Sequence, residues 1–412
     1  MPSYAAFIGH QPHLSMAELS ASLPDFRIER ILGGTVVIFS AGEILDERFL
    51  RKLGGIIVIA KAFENAPADW STLPRLLVRE TQTVKGKVTF GLRTHGLPRS
   101  DVSKLYRQCK DALKKSGRPA RYVGSEGKPA PSLVLHEEGL IGGKHGCEFV
   151  IASGKDFLWM GKTVAAQDIE AYAKRDMKKP VRDTGIGLLP PKLAQILLNF
   201  GVWLVKGQQS QNRNSQFAIR NSLTVWDPFC GTGVIPMECL LRGWTVLASD
   251  LSLKAVNGCL KNLEWLRKEE KIFKKDVAST VWKQDASKPF EAKMTPDVIV
   301  TETSLGPSLM GRPSLKDAAK MRTENERLQE GFLRAVAARL PGVPLVVTWP
   351  VWYNRKEQLR LERVWSVIDE LGYRSALPPG IESDHETRLS LLYRRPDQFV
   401  GREIVLLEAR QR

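Results

Sequence analysis

The chain has 412 residues, of which 43% are hydrophobic and 26% are charged. This composition is that of an ordinary globular protein, and it excludes collagen-like, mucin-like and broadly disordered chains. Lysine and arginine number 61 against 45 for aspartate and glutamate, giving a formal net charge of +16. Such an excess favours a polyanionic partner, although it is equally compatible with a role in solubility alone.

The cysteines and the N-terminus indicate a reducing, cytoplasmic setting. Cys109, Cys147, Cys230, Cys239 and Cys259 are odd in number and never spaced as C-x-x-C, so neither a zinc site nor a disulfide framework is expected. The first residues lack the basic head of a secretory signal, and no window approaches 18 uninterrupted apolar residues. We therefore expect no membrane contact and no metal.

The first third of the chain predicts two small α/β modules. In the first, strands are expected at 3–9, 34–39 and 55–61, and a helix is expected to open at the capping-box spacing of Ser15 and Glu18. In the second, a strand begins near residue 87, a helix runs from residue 100 or 101 to just before residue 117, and strands follow at 147–152 and 157–164.

The helix of the second module carries a basic stripe. Its basic residues recur every three to four positions from Lys104 onward. The opposite face carries apolar residues, namely Leu105, Ala112 and Leu113. Such a stripe suits a phosphate backbone, and a solvated helix face explains the same pattern. The basic positions are Lys104, Arg107, Lys110, Lys114, Lys115 and Arg118, with Arg121 just beyond.

A charged segment then separates two halves of the chain. Residues 166–187 end in Thr-Gly-Ile-Gly, which predicts a hinge, and Pro190 predicts the start of a helix. A polar stretch at 207–222 predicts a loop. A second basic run in the hinge segment is a candidate RNA clamp: Lys174, Arg175, Lys178, Lys179 and Arg182.

From residue 224 onward strands and helices alternate, which predicts a doubly wound, mostly parallel sheet. Two apolar runs joined by a Pro-Asp turn, at 388–395 and 399–407, predict a closing antiparallel hairpin. The expected strands are 224–227, 245–249, 297–301 and 344–349, and the expected helices are 234–242, 253–268, 323–339 and 356–370.

The turn after the first of these strands carries the strongest chemical signal. Its sequence, Val225-Trp-Asp-Pro-Phe-Cys-Gly-Thr-Gly-Val-Ile-Pro-Met-Glu, places an acid and two glycines between a strand and a helix. A dinucleotide fingerprint would need glycine where Pro236 stands, and a P-loop would need Gly-Lys-Ser/Thr, so a phosphate is not the expected occupant. Asp227 would instead attract a cationic group, such as the ammonium of an amino-acid tail.

Acids also follow the next strands. Asp250 stands where a carboxylate accepts both hydroxyls of a ribose, and Asp285 is placed to accept from an adenine amino group. The ordered set fits S-adenosylmethionine (SAM), from its methionine tail to its base. The alternative is that Asp250 and Asp285 cap helices and Asp227 forms a turn.

These motifs resemble those of the class I SAM-dependent RNA methyltransferases that carry an N-terminal THUMP domain, and most closely the tRNA guanosine N2-methyltransferases acting at position ten. The resemblance covers nearly the whole chain. It rests on Asp-Pro-Phe-Cys-Gly-Thr-Gly with Ile-Pro-Met-Glu, on Gln167-Asp-Ile-Glu-Ala-Tyr, on Pro190-Pro-Lys-Leu-Ala, on Arg395-Pro-Asp-Gln-Phe-Val-Gly-Arg-Glu-Ile and on Ser15-Met-Ala-Glu-Leu.

The resemblance implies a ferredoxin-like segment at 1–65, a THUMP-like RNA-binding domain at 66–166, a linker at 167–187 and a Rossmann-like methyltransferase domain at 188–412. It also implies a tRNA partner, contacted by Lys110, Lys114, Arg118 and Arg121. The cofactor pocket would be lined by Asp227, Phe229, Gly231, Gly233, Asp250 and Asp285.

The loop after the fourth strand departs from the family pattern. Enzymes that methylate exocyclic amines have Asp/Asn-Pro-Pro-Tyr/Phe there, whereas this chain has Glu302, Thr303, Ser304 and Leu305. Glu302 and the Thr303 carbonyl still offer acceptors for a guanine N2 amino group. Since Leu305 offers no π face, Trp352 or Tyr353 is expected to stack on a flipped base; alternatively these aromatics cover the edge of the core.

The leading hypothesis is therefore a cytoplasmic tRNA methyltransferase that modifies N2 of a guanosine, with Glu302 as the orienting acceptor. The alternatives are a tRNA-binding protein whose SAM pocket has lost or changed its chemistry, and a DNA amino-methyltransferase. The nucleotide modified, the number of methyl groups added, the oligomeric state and the need for an auxiliary protein subunit are left open by the sequence.

Overall fold

The computed structural model describes residues 1–64, 69–125, 128–183, 188–211, 222–291, 293–309, 311–354 and 357–409. The chain divides into two compact units. The first comprises Met1–Leu19 and Leu23–Tyr172, and the second comprises Ser20–Ser22 and Ala173–Arg412. Among the helices of the described ranges, none is both long and apolar enough to cross a membrane.

The first unit begins with a β-α-β-β-α-β module. Its four strands lie in the order β2-β3-β1-β4 with every neighbouring pair antiparallel, which is the ferredoxin-like arrangement. The strands expected at 3–9, 34–39 and 55–61 are confirmed. The elements are β1 (Ser3–Ile8), α1 (Pro12–Ser22), β2 (Arg27–Leu32), β3 (Val36–Ser40), α2 (Glu47–Leu50) and β4 (Ile56–Ala62).

The capping box expected at Ser15 and Glu18 is wrong. Helix α1 begins at Pro12, and proline is well tolerated in a first turn. The hydroxyl of Ser15 donates to the Gly55 carbonyl at 2.9 Å, and the carboxylate of Glu18 accepts from the N–H groups of Gly54 and Gly55, each at 2.8 Å. These two side chains therefore secure the turn before β4 rather than the start of α1.

The rest of the first unit extends the same sheet. Strand β4 pairs with β8, so the eight strands form one sheet in the order β2-β3-β1-β4-β8-β7-β5-β6. The expected helix near 100–116 and the strands near 87, 147–152 and 157–164 are confirmed. The elements are α3 (Leu73–Glu80), β5 (Val88–His95), α4 (Arg99–Lys115), β6 (Ala120–Val123), α5 (Ser132–Glu137), β7 (Gly146–Gly154) and β8 (Phe157–Ala166).

The second unit contains the doubly wound sheet. Strands β9 to β13 are parallel and lie in the order β11-β10-β9-β12-β13, and β17 enters antiparallel between β13 and β15. The elements are α6 (Ile169–Met177), α7 (Pro191–Gln211), β9 (Thr224–Asp227), α8 (Val234–Leu241), β10 (Thr245–Asp250), α9 (Leu253–Glu269), β11 (Ser279–Lys283), β12 (Val298–Glu302), α10 (Leu315–Arg339), β13 (Leu345–Tyr353), β14 (Gln358–Leu359), α11 (Arg363–Glu370), β15 (Tyr373–Ser375), β16 (Leu391–Tyr393) and β17 (Val400–Ala409).

The alternation of strands and helices and the terminal hairpin are confirmed, since β16 pairs antiparallel with β17. Strand β11, which precedes Asp285, was expected without bounds, and its five residues mix polar and apolar positions with little burial. Helix α10 begins at Leu315, earlier than expected, where Ser314 accepts from the Asp317 N–H at 3.1 Å.

The expected linker contains helix α6, and its predicted hinge at 184–187 lies outside the described residues. Helix α7 starts near Pro190 as expected and continues into the predicted polar loop as far as residue 211. The remainder of that loop, 212–221, lies outside the described residues as well.

Candidate cofactor and RNA sites

Three acidic side chains mark the carboxyl ends of adjacent parallel strands. Asp227 ends β9, Asp250 ends β10, and Asp285 comes two residues after β11. Because these strands are neighbours and parallel, the acids follow one another along one edge of the sheet. Ligands of open α/β sheets bind at this edge.

Asp227 is a buried acid at the centre of the edge. Its Oδ1 accepts from the Thr301 hydroxyl at 2.6 Å and from the Phe229 N–H at 3.3 Å. Burial raises the pKa of Asp227 to about 8, the Thr301 hydrogen bond opposes this shift, and nearby Asp250 and Glu302 add to it. A cationic group beside Asp227 would favour the charged carboxylate. The site is therefore matched to a cation.

The loop after β9 depends on two glycines in left-handed conformations. Gly231 has φ +50°, and Gly233, which precedes α8, has φ +89°. A Cβ on Gly233 would lie 2.7 Å from the sulfur of Cys259, so only glycine fits between the helices. At Gly231 no described atom lies within 4 Å of the corresponding Cβ position, which leaves the loop open to a ligand on that side.

Asp250 links this loop to the next strand. Its Oδ2 accepts from the Gly231 N–H at 3.0 Å and its Oδ1 from the Ser252 N–H at 2.8 Å. Each carboxylate oxygen keeps a second lone pair for a ligand hydroxyl. Asp250 is half-buried, so it combines a structural role with the access that a ribose contact needs.

Asp285 and Phe229 are the two remaining predicted cofactor contacts outside the glycine pair. Asp285 accepts from the Ser287 N–H at 3.0 Å and from its hydroxyl at 2.6 Å, so it forms a turn, as the alternative interpretation allowed. Its contact with an adenine stays a prediction. The half-buried Phe229 packs edge-to-face on Phe332, with ring centroids 5.2 Å apart.

These residues fit SAM better than a dinucleotide. The first turn of α8 would have to bind a pyrophosphate, but two carboxyl groups, Asp227 and Asp250, accept hydrogen bonds from N–H groups of the loop that precedes it. Pro236 also replaces the third glycine of the dinucleotide pattern and is itself buried inside α8.

Glu302 ends β12 and forms an ion pair that the sequence did not predict. Its Oε1 accepts from Nε of Arg402, which lies on β17 and is buried. Burial raises the pKa of Glu302, and the positive charge and hydrogen bond of Arg402 oppose that shift. Glu302 is therefore not a solvated loop carboxylate, because its side chain is only 12% exposed.

A second interaction holds the start of the loop after β12. The buried hydroxyl of Thr303 donates to the Thr348 carbonyl at 2.6 Å and accepts from Nε2 of Gln329 at 2.8 Å. These two hydrogen bonds fix the side chain of Thr303, which stands where the family pattern has a proline.

The stacking role expected for Trp352 or Tyr353 needs correction. Trp352 is fully buried among the apolar residues between β13, α10 and α11. Tyr353 is also buried, and the guanidinium of Arg394 lies 3.7 Å from its ring centroid. Both aromatics therefore cover the core, as the alternative interpretation held.

Two residues of the site, Arg402 and Thr301, were not predicted from the sequence. Both are polar residues within otherwise apolar strands, β17 and β12, and such residues are seldom fully buried without a partner. That pattern was a signal for a buried polar pair, although it did not identify the partner.

Helix α4 presents the expected basic stripe. Its buried face is formed by Val102, Leu105, Cys109 and Leu113. The opposite face carries five exposed basic residues: Lys104, Arg107, Lys110, Lys114 and Lys115.

The structure gives Arg118 a different role from the predicted RNA contact. Its guanidinium donates to the Thr81 hydroxyl at 2.7 Å and to the Val78 carbonyl at 3.3 Å, so it caps the end of α3. Arg121 forms an ion pair with Glu138 at 2.9 Å. Because that ion pair is largely exposed, it holds the Arg121 side chain only weakly.

Most of the basic run in the linker is also engaged. Arg175 is buried and pairs with Glu238 at 2.8 Å, and Lys174 pairs with Glu269 at 2.9 Å. Lys179 is buried, and burial lowers its pKa. The expected RNA clamp is therefore wrong for the two buried residues, Arg175 and Lys179. Lys174 is half-buried, and Lys178 and Arg182 are exposed.

The second unit has a Rossmann-like topology: a parallel sheet with helices on both faces, an antiparallel strand inserted near one edge, and acids at the carboxyl ends of the central strands. The first unit consists of the ferredoxin-like module and the further α/β elements that extend its sheet. A fold of this kind defines a class of protein and leaves its substrate open.

Solved structures that are similar to this chain include TrmN from Thermus thermophilus, at 16% identity over 99% of both chains with a TM-score of 0.49. A second is a possible methylase from Clostridium difficile 630, at 11% identity over 100% of this chain and 99% of that chain, with a TM-score of 0.45. These values assign neither activity nor substrate. No family model matches the chain, and no curated protein matches it.

Replacing Asp227 with asparagine should remove a pH dependence of stability. The unfolded pKa is near 3.8 and the folded pKa is about 8, so the folded protein keeps a proton that the unfolded chain loses between these values. Wild-type stability should therefore fall as pH rises from about 4 to about 8. Relative to wild type, the melting temperature of Asp227→Asn should rise by roughly 3 °C or more between pH 5 and pH 8.

The measurement is thermal unfolding of the ligand-free protein, with the exposed Asp276→Asn as the matched charge control. An Asp227→Asn variant whose melting temperature tracks wild type across this range would show that Asp227 is ionised in the folded protein.

Proposed function

We propose that this protein is a SAM-dependent tRNA methyltransferase that methylates the N2 amino group of a guanosine, of the position-ten type. The observation that carries this proposal is the buried Asp227, next to an open glycine loop and in series with Asp250 and Asp285. A buried acid of raised pKa is costly unless a ligand uses it. A cationic amino-acid tail is the ligand that this charge recognises.

Each residue at the carboxyl edge of the sheet would bind a different part of the cofactor. Asp227 would bind the ammonium, Asp250 the ribose hydroxyls, and Asp285 the adenine amino group, while Phe229, Gly231 and Gly233 would shape the pocket. SAM, when bound, supplies an electrophilic methyl group on a sulfonium.

Glu302 is the proposed acceptor for the target amine. The lone pair of guanine N2 is delocalised into the ring, so both N–H bonds need acceptors that fix its direction. Alignment of this kind supplies up to roughly 7–11 kcal/mol of a barrier. With Oε1 held by Arg402, Oε2 of Glu302 is the oxygen proposed to accept the N–H and, later, the proton.

Arg402 acts on the carboxylate of Glu302 in two ways. Its positive charge favours ionised Glu302, and its hydrogen bond fixes the direction of the side chain. Burial keeps the Glu302 pKa above its usual range nonetheless, which strengthens it as a proton acceptor near neutral pH.

A second candidate is a tRNA-binding protein that keeps the SAM pocket but has lost the transfer reaction. It is favoured by the Glu302–Arg402 ion pair, which could serve stability alone, and by the absence of the prolines and aromatic residue of the family loop. The two candidates share the cofactor site and differ in the fate of the methyl group.

Incubation of the protein with SAM and unmodified tRNA, followed by mass spectrometry of the nucleosides, should yield N2-methylguanosine. A DNA duplex of matched base composition should take up no label from methyl-labelled SAM. SAM binding in a calorimeter without methyl transfer to tRNA would support the second candidate, and absence of SAM binding would refute both.

Replacing Glu302 with glutamine should reduce the turnover number on tRNA at least about 100-fold, because the variant loses its anionic acceptor. The affinity for SAM should stay within about threefold, since Glu302 lies outside the proposed cofactor contacts. Single-turnover methyl transfer measures the first quantity and calorimetry the second.

Loss of one partner of a buried ion pair also destabilises a protein, so a double variant, Glu302→Gln with Arg402→Leu, separates the two effects. A purely structural pair would regain activity when both charges are removed. Glu302→Gln at the wild-type rate would contradict the proposed role directly.

Replacing Lys110 and Lys114 with alanine should weaken tRNA binding and lower the salt dependence of its affinity. Each lost phosphate contact on a duplex reduces the slope of log affinity against log salt by about 0.9, so two contacts reduce it by about 1.8. Lys144→Ala with Lys155→Ala, two exposed lysines of the same unit, is the charge-matched control. Equal losses in both double variants would assign RNA binding to net charge rather than to α4.

A further inference from the structure

The segment after α9 forms a shallow cavity of about 440 Å³ on the surface of the second unit. Four basic side chains and one acidic side chain line it, together with one isoleucine and one phenylalanine. The lining residues are Glu264, Arg267, Lys268, Lys271, Ile272, Phe273 and Lys274. None of them takes part in the cofactor site described above.

Phe273 is the unusual member of this group. Its side chain is 61% exposed, and Nζ of Lys275 lies 5.9 Å from its ring centroid. A single exposed apolar residue is common on protein surfaces. An exposed aromatic ring among lysines, however, is the combination that nucleic-acid-binding surfaces use: the ring stacks on a base and the lysines contact phosphates.

Two acidic neighbours of this patch share one basic partner outside it. Glu269 and Glu270 both pair with Lys174 of helix α6, with N···O distances of 2.9 and 3.5 Å. Within the described part of the chain, no acidic side chain is paired with Lys271 or Lys274. The basic residues of the patch outnumber its exposed acids, Glu264 and Asp276, so its net charge is positive: they are Arg267, Lys268, Lys271, Lys274 and Lys275.

The turn that carries Phe273 is held in place. Arg267 is buried beneath it and donates to the Val277 carbonyl at 2.7 Å and to the Ser279 hydroxyl at 2.9 Å. The N–H groups of Asp276 and Val277 both donate to the Phe273 carbonyl at 3.1 Å. A ring presented on a fixed turn loses little freedom on binding, which favours affinity.

The patch lies at the edge of the sheet opposite the cofactor site. Helix α9 starts after Asp250 at the carboxyl edge and its 17 residues run about 25 Å to the other edge. A ligand of this patch is therefore not the base that receives a methyl group. It is a different part of a large substrate.

We infer that this cavity binds an unpaired nucleotide of RNA, with the base stacked on Phe273 and the flanking phosphates held by Lys268, Lys271, Lys274 and Lys275. This inference extends the proposed function, because it assumes an RNA substrate, but it requires neither the methyl donor nor Glu302. An unpaired segment is selected over a duplex, since a stacking ring needs a free base face.

Binding of fluorescein-labelled RNA to the full-length protein, followed by anisotropy, tests the inference. The probes are a single strand of about 12 nucleotides, within the range that one such site spans, and a duplex of the same sequence. Phe273→Ala should weaken single-strand binding about 5- to 150-fold, the loss expected for one stacked base, and weaken duplex binding less than about twofold. Phe273→Tyr should restore single-strand affinity, whereas Phe273→Leu should not.

The lysines are tested separately through salt dependence. Lys271→Ala with Lys274→Ala should lower the single-strand salt slope by about 1.4, at about 0.7 per contact. Lys206→Ala with Arg339→Ala, which removes two exposed charges elsewhere in the same unit, should change it by less than half as much. RNA carrying 4-thiouridine should cross-link to the peptide that contains residue 273.

Two results would overturn the inference: equal loss of duplex and single-strand binding in Phe273→Ala, or full rescue by leucine. SAM binding and methyl transfer to a short tRNA fragment that lacks the distal contact report on the proposed function independently. If the protein neither binds SAM nor transfers a methyl group but still binds RNA through Phe273, the proposed function is refuted. The inferred RNA site at Phe273 is then still supported.

Discussion

The burial of Asp227 is the constraint on which the rest of the second unit depends. A carboxyl group at the end of a central strand has no water to stabilise its charge, so the fold supplies the Thr301 hydroxyl and the Phe229 N–H, and burial still raises its pKa to about 8. The glycines of the following loop leave one side open. The architecture thus keeps an acid available to a cationic ligand instead of pairing it internally.

The insertion of β17 has a comparable consequence on the other side of the sheet. Because β17 runs antiparallel beside β13, it carries Arg402 beneath the end of β12, where Glu302 stands. Two carboxyl groups at one edge of the sheet, Asp227 and Glu302, thereby lie in opposite electrostatic environments. The first has only neutral hydrogen-bond donors among its described contacts and suits a cation, whereas the second has a permanent cation and suits a hydrogen-bond donor such as an amino group.

The positive charge of the chain is divided between structural and solvent-exposed roles. Arg118, Arg175 and Lys174 cap a helix or neutralise acids, although the sequence places each of them in a basic run. The exposed lysines of α4 and those around Phe273 remain available to a polyanion. A basic run therefore predicts RNA contact only for those of its residues that are not already paired within the protein.

Sequence periodicity by itself determined the alternating strands and helices of the second unit, the terminal hairpin, the acid-and-glycine loop at 227–233 and the two-sided helix at 100–116, because these features depend on local spacing of apolar residues and on turn chemistry. It misassigned Ser15 and Glu18, whose spacing satisfies a helix cap while their partners lie in a turn about 40 residues away.

Only the tertiary structure decided which polar groups are paired and which are free. The Glu302–Arg402 ion pair joins residues 100 positions apart, and the burial of Trp352 follows from helices that pack on β13 from distant parts of the chain. Pairing and burial are properties of three-dimensional neighbours, and local spacing carries no information about a neighbour that arrives from another strand.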